Sequence, residues 1–497
     1  MTSIFSIHTM KAKKQCNSGS ILMVALIFLT LLSIMGLSMI ELIVAQNKLA
    51  QIRIAGEYGF HVAEAGLNYG RWRLAHDPND LTPETRTYSD PEGGVIGTYS
   101  LTFTPIGATI YNNTLVEIRS EGWYGNNPNI KRIVSARYGR RSFTQYSFLT
   151  NSNLYFSGGS RDGKIHANGG IRMDAEANSA VTSARQTYLF TGDDTGCVDI
   201  DDEKEGIWRC DGTTRSLWSY PVNNVDFNAI TVDLSLLKEY AQCFDNPNCT
   251  TYTGNGIYRG NQGHGYHLTF NADGTVSMCW IQSLEPPVRA YSIEQKKWIM
   301  LSTEIKNEQC TETYTLLGND LIFIEDDVWV EGTVDGRVTV ISAKLPEVPS
   351  SSPDIILKGD LMYEDKNGDD VLGLLAQHDI LIPLKPMNGT TPIPATGSYE
   401  VDAALLAQRD RFQRYFYYWA YNGIGEYYQF NQITLYGAMI SYNQPGNYWG
   451  VYNGKQHGVL STVNYYDPQL LYNPPPYFPV TGDYDFISWE EKLKGQP

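Results

Sequence analysis

No P-loop, no G-x-S-x-G elbow and no H-E-x-x-H pair occurs anywhere in the 497 residues. Phosphate-cradling, serine-hydrolase and zinc-protease chemistry therefore have no motif to rest on. Basic residues are short: 38 Lys and Arg stand against 54 Asp and Glu, a net charge of −16. Nucleic-acid binding, which wants basic patches, is disfavoured, and a soluble exported surface fits better. Cysteine is missing between Cys16 and Cys197, and no C-x-x-C occurs. Proline is missing from Glu41 to Leu74, and charge is missing from Ser20 to Ile40.

That uncharged run, SILMVALIFLTLLSIMGLSMI, is the first thing present in strength. About 20 residues rising roughly 1.5 Å each cross about 30 Å of hydrocarbon. The expected anchor residues are Ile21, Leu22, Val24, Leu26, Phe28, Leu31, Leu32, Ile34, Leu37 and Ile40. Lys11, Lys13 and Lys14 precede the run, and the positive-inside rule then keeps the N-terminus cytoplasmic and exports the rest. A cleaved signal would have a shorter apolar core ending in a small-x-small site, and the nearest candidate, Ile43-Val44-Ala45, has a bulky residue there. Leu42, Leu49, Ile52, Phe60, Ala63 and Leu67 keep a rough helical period until His76-Asp77-Pro78 supplies a stop. The pattern predicts a basic leader over 1–19 and one long helix over 20–77, apolar in its first half and amphipathic in its second.

These residues resemble the N-terminus of type IV pilin-like proteins, specifically minor pilins of the PilX type. The basic leader with Gly19-Ser20, the run Ile21–Ile40 and Phe60-His61-Val62-Ala63-Glu64-Ala65-Gly66-Leu67, similar to that family's FxxAEAGL block, carry the resemblance. It implies processing by a prepilin peptidase between Gly19 and Ser20, insertion in the inner membrane with the head outside, and later packing against other pilin-like subunits in a filament or pseudopilus. Major pilins mostly carry a glutamate at the fifth mature position; here that position is Val24, which points to a minor subunit. A plain single-pass anchor is the alternative.

Beyond the helix, Gly97–Phe103, Leu115–Ser120, Ile130–Tyr138 and Phe143–Phe148 predict a small antiparallel sheet within residues 78–150. Glycine-punctuated strands then open a β-solenoid region over 151–190. Gly163–Ile171 resembles a GxxHxNGxI block of large PilX-like proteins with solenoid passengers; His166 and Asn168 read there as turn chemistry rather than catalysis. Residues 191–320 read as an irregular insert. It holds the acidic run Asp199–Glu205, a helix over Val232–Cys243, a Gly263–His267 loop, and Cys197, Cys210, Cys243, Cys249, Cys279 and Cys310. An even number on the exported side fits disulfides, and clustering in one segment favours nearest-neighbour pairing over a metal site.

Residues 321–497 carry the clearest solenoid pattern. Leu321–Ile324, Ile355–Leu357 and Ile380–Ile382 are continuously apolar, as buried parallel strands are, though a β-sandwich would use similar strands. Val401–Phe416 reads as a flanking helix, and the Tyr465–Trp489 tail, rich in proline, again resembles those PilX-like proteins. The expected fold is mainly β: long helix, antiparallel pilin-like sheet, then a right-handed parallel β-helix-like region with a disulfide-rich insert. Asp365, Asn367 and Asp369 begin like a calcium loop, but Asp370 and Ala376 stand where glycine and glutamate belong, so an acidic turn is expected, with no metal and no cofactor. Asp326, Asp327, Asp335 and Asp360 amid many aromatics do not form an enzyme motif. The functional expectation is a non-enzymatic minor pilin-like subunit acting in filament initiation, tip assembly or adhesion. The alternative is a permanently anchored adhesin or carbohydrate-binding protein with a surface ligand or glycan as partner.

Overall fold

The computed structural model describes residues 18–78, 80–106, 115–125, 128–190, 197, 202–227 and 229–492. Lys11, Lys13, Lys14 and Cys16 lie outside these, as does the start of the Asp199–Glu205 run. The chain is mainly β, with one long apolar helix at its N-terminal end. That helix, α1, spans Ser18–His76, 59 residues or about 90 Å. From Ile21 to Ile54 its side chains stand clear of the rest of the protein. Leu42, Leu49 and Ile52, which keep the helical period in the sequence, are among the exposed ones. The packed face begins only at Gly56 and runs through Gly59, Val62, Ala63, Gly66, Leu67, Gly70 and Leu74, a spacing of three and four.

This half of α1 lies on an antiparallel sheet of β1 (Glu84–Ser89), β2 (Val95–Ile106), β3 (Leu115–Tyr124) and β4 (Lys131–Ser142), closed by the C-terminal strand Val480–Lys492 beside β4. β3 alternates cleanly, Val116, Ile118, Ser120 and Gly122 facing the helix. Phe143–Phe148 does not complete this sheet: Phe143–Gln145 is a short 3₁₀ turn, and Tyr146–Thr150 leaves for a different ladder. The real fifth strand comes from the far end of the sequence, and no local pattern announces a partner some 350 residues away.

The remainder is built on parallel ladders. In the longest, strands pair side by side in the order Asn255–Arg259, Asn319–Ile324, Arg337–Ser342, Val371–Ala376, Ser398–Ala407, Gln429–Ser441, Tyr146–Thr150, Lys164–Ala167, Val181–Ser183 and Trp218–Ser219. Ile257, Ile322, Val340, Leu374, Leu405, Met439, Phe148, Ile165, Val181 and Trp218 stand in register across it, an apolar column through the core. The chain therefore enters this ladder in its middle, winds to one end, crosses to the other end and winds back until Met439 meets Phe148. A second ladder joins Tyr266–Asn271, Val328–Val334, Ile355–Tyr363, Ile380–Leu381 and Phe412–Gln413. A third joins Leu154–Phe156, Ile171–Met173 and Ile207–Trp208.

Two expectations are corrected here. Val401–Phe416 is not a helix. It forms the strand Ser398–Ala407 followed by two short strands. Its Val-Asp-Ala-Ala-Leu-Leu-Ala run favours a helix locally, but Leu405 faces the column while Leu406 joins a second buried cluster on the opposite face, the one that includes the helix α2 (Ala229–Phe244), and burial on both sides overrides propensity. The segment 255–320 is not irregular either, because Asn255–Arg259 and Tyr266–Asn271 are ladder strands. α2 packs over Asn255–Arg259 and Asn319–Ile324, and its Leu234, Leu237, Tyr240 and Ala241 share one buried cluster with Leu321, Phe323, Ile341, Leu375, Leu406 and Ile440, so that ladder is buried on both faces.

Candidate functional site

The feature with most apolar surface on offer is α1. Ile21, Leu22, Val24, Leu26, Phe28, Leu31, Leu32, Ile34, Leu37 and Ile40 are between 52% and 73% exposed. The helix is long and apolar enough to cross a membrane. Gly19 and Ser20 lie in its first turn, at the start of this surface.

Where α1 meets the sheet, small residues set the distance. A side chain at Gly122 would run into the backbone of Gly59 and Ala63. One at Gly70 would lie 2.8 Å from Ile118 Cγ2. Ala63, Gly66 and Leu67 of the AEAGL block fall on the buried face, with Ala65 half-buried beside them, so the block is a docking surface. At the helix end Arg73 is buried and donates to both Asp80 carboxylate oxygens, 2.6 Å each, and to the Thr82 carbonyl at 2.6 Å. The Arg73 guanidinium holds the Asp80 carboxyl down at about 2. Its positive charge also suits the carbonyl end of a helix.

The other singled-out residues serve structure. His166 is buried in the ladder, its Nδ1 2.9 Å from Thr182 Oγ1 and its Nε2 3.0 Å from Asn168 Oδ1, and burial lowers its pKa. Asn168 also holds the Val225 backbone at both ends of its amide. His267 sits on a strand, not in a loop. Burial works against its charge, but Glu308 at 2.8 Å and Glu331 at 3.2 Å outweigh it and raise its pKa. Asp365 Oδ1 accepts the Asn367 N–H and Asp370 accepts those of Asp365 and Gly336, which is turn geometry. Among the described residues, no group of three converging metal ligands includes Asp365 or Asp369. The cysteines pair as neighbours: Cys197–Cys210, Cys243–Cys249 and Cys279–Cys310, with Cα separations of 5.4, 5.3 and 3.9 Å.

Sequence reading missed an aromatic surface. Strands Val288–Ser292, Lys297–Leu301 and Phe416–Tyr417 form a small sheet, joined by the hairpin Tyr448–Tyr452 with Lys455–Tyr466. Phe416 lies 4.8 Å from His457, 5.6 Å from Trp449 and 5.8 Å from Trp298, while Lys455 Nζ sits 4.3 Å over Trp419. Tyr448 and Tyr452 are about half exposed at its edge. Its members come from three separate stretches, so only the dense aromatics of Tyr415–Tyr428 hinted at it.

Fold and site together define a mainly β protein displayed on a long apolar helix. No family model and no curated protein matches the sequence. Among solved structures the chain is similar to the competence-associated pilin ComZ from Thermus thermophilus, at 14% identity and a TM-score of 0.26, covering 88% of this chain and 98% of that chain. So loose a superposition carries no argument about fold or function.

Proposed function

We propose that this chain is a structural, non-enzymatic minor pilin-like subunit of a type IV pilus or related secretion pseudopilus. It is held in the inner membrane by α1 with its head outside, and acts in filament initiation, tip assembly or adhesion. The observation that carries the reading is the division of α1: a free apolar half, then a half fixed to an antiparallel sheet through glycines. A helix that must first cross a bilayer and later pack among like helices needs an unencumbered apolar surface and a rigid joint to its head. Prepilin peptidase and other pilin-like subunits are the partners this implies. We take the parallel ladders as a right-handed β-solenoid, the hand that parallel crossovers favour. The test is the mature N-terminus, determined with and without prepilin peptidase. A peptidase-dependent start at Ser20, lost in Gly19→Val, supports the reading; a chain still starting at Met1 with the peptidase present overturns it.

The aromatic surface around Phe416 and Trp419 favours a second reading, a permanently anchored adhesin or carbohydrate-binding protein. Exposed rings give the flat apolar faces on which sugars stack. Retention on a glycan array that Trp419→Ala abolishes, together with an unprocessed N-terminus, would select it.

A further inference from the structure

The second ladder carries a file of acidic side chains along one corner. Asp327, Asp354 and Asp379 precede strands that pair in register, and the carboxylate of each accepts the backbone N–H of the residue one strand on: Asp327 from Asp354, Asp354 from Asp379, Asp379 from Arg411. One residue earlier in the same register lie His378 and Asp410. Glu294, in the turn after Val288–Ser292, reaches across to them from 84 residues away.

Three groups converge there. His378 Nε2 is 3.4 Å from Glu294 Oε2, and one ligand atom from each of Glu294, His378 and Asp410 lies within 4.8 Å of the others. Asp410 is 2% exposed. Its Oδ1 accepts from Arg411 Nε and Asn443 Nδ2, both at 2.8 Å, while its Oδ2 is buried with no hydrogen-bond partner among the described residues. His378 Nδ1 is 2.8 Å from Asp354 Oδ1, with Asp379 Oδ2 at 3.6 Å.

We propose that Glu294, His378 and Asp410 bind a divalent transition-metal cation, zinc by preference. One imidazole nitrogen and two carboxylates are a zinc-type set of three, leaving a fourth position for water. A hard cation such as calcium would want more oxygens. Asp354 stands where a carboxylate orients a ligating imidazole through its other nitrogen. An imidazolium alone would bridge Asp354 and Glu294 but leave Asp410 Oδ2 unsatisfied in the interior, which is costly. A dication satisfies it and balances carboxylates that Arg411 alone does not. The metal would also tie the exposed Val288–Leu301 hairpin, and so the aromatic surface, to the coils behind it.

The test is zinc binding by the full chain in detergent, after chelator treatment, by calorimetry and elemental analysis. The expected result is one zinc per chain at this site, with Glu294→Gln weakening binding by roughly tenfold or more and Asp354→Asn by about 10- to 100-fold. Glu294 sits in an exposed turn, so that variant folds even if Asp410→Asn and His378→Gln do not. Zinc should slow hydrogen exchange in the 288–301 hairpin of the wild type but not of Glu294→Gln. No zinc retained by the wild type, or equal affinity in Glu294→Gln, overturns the proposal and leaves His378 as an internal counter-ion.

Discussion

Single atoms decide how closely α1 lies on its sheet. A Cβ at Gly122 meets helix backbone, which does not yield, whereas one at Gly70 meets the tip of Ile118, which does. Gly122→Ala should therefore destabilise the head by about 1–3 kcal/mol and Gly70→Ala by clearly less, read by thermal unfolding; equal effects would show that the helix can lift off. A second residue-scale case is Asp402, fully buried in the long ladder. Its carboxylate accepts the Tyr363 N–H and pairs with Lys366 at 2.9 Å. Burial pushes its pKa up from 3.8 to about 6, against the pull of Lys366. The folded state thus holds this proton more tightly than the unfolded chain does. The resulting stabilisation is complete below about pH 4 and is lost as pH rises through about 6. In urea melts, wild type minus Asp402→Asn should fall by about 1–3 kcal/mol across that window. A difference that rises with pH would mean the Lys366 pair dominates instead.

At the level of elements, the strand Ser398–Ala407 is the sharpest test of architecture. Leu405 points into the apolar column and Leu406 into the buried cluster on the opposite face. Leu405→Ala and Leu406→Ala should each cost about 2–5 kcal/mol by chemical denaturation; a cost under about 1 kcal/mol at Leu406 would leave the strand with one wet face. Much of the fold was legible where a pattern is local: the long helix from its uncharged run, and Leu321–Ile324 and Ile355–Leu357 from continuous apolarity; the helix expected over Val232–Cys243 falls within α2. Ser398–Ala407 was misread because an Ala- and Leu-rich run buried on both faces looks the same as a helix until its neighbours are known. The C-terminal strand and the Glu294–His378–Asp410 cluster were not legible at all. Strand pairing and coil stacking bring them together over long separations, and sequence spacing holds no trace of that.

For the whole molecule, the closing of the head sheet by Val480–Lys492 matters more than its position at the end of the chain. Without it β4 is an open edge carrying unpaired N–H and C=O groups. Deleting residues 480–497 should leave the ladders folded but drive self-association, visible by light scattering as concentration rises; a monodisperse deletion variant would show that β4 is protected in another way. The same strand has a mechanical consequence. The chain leaves the head through β4 and re-enters it through Val480–Lys492, directly alongside. All the coils between are a loop hung from two adjacent, hydrogen-bonded strands. A pull on α1 is borne by the small sheet and its glycine joint, and the coils lie outside the load path.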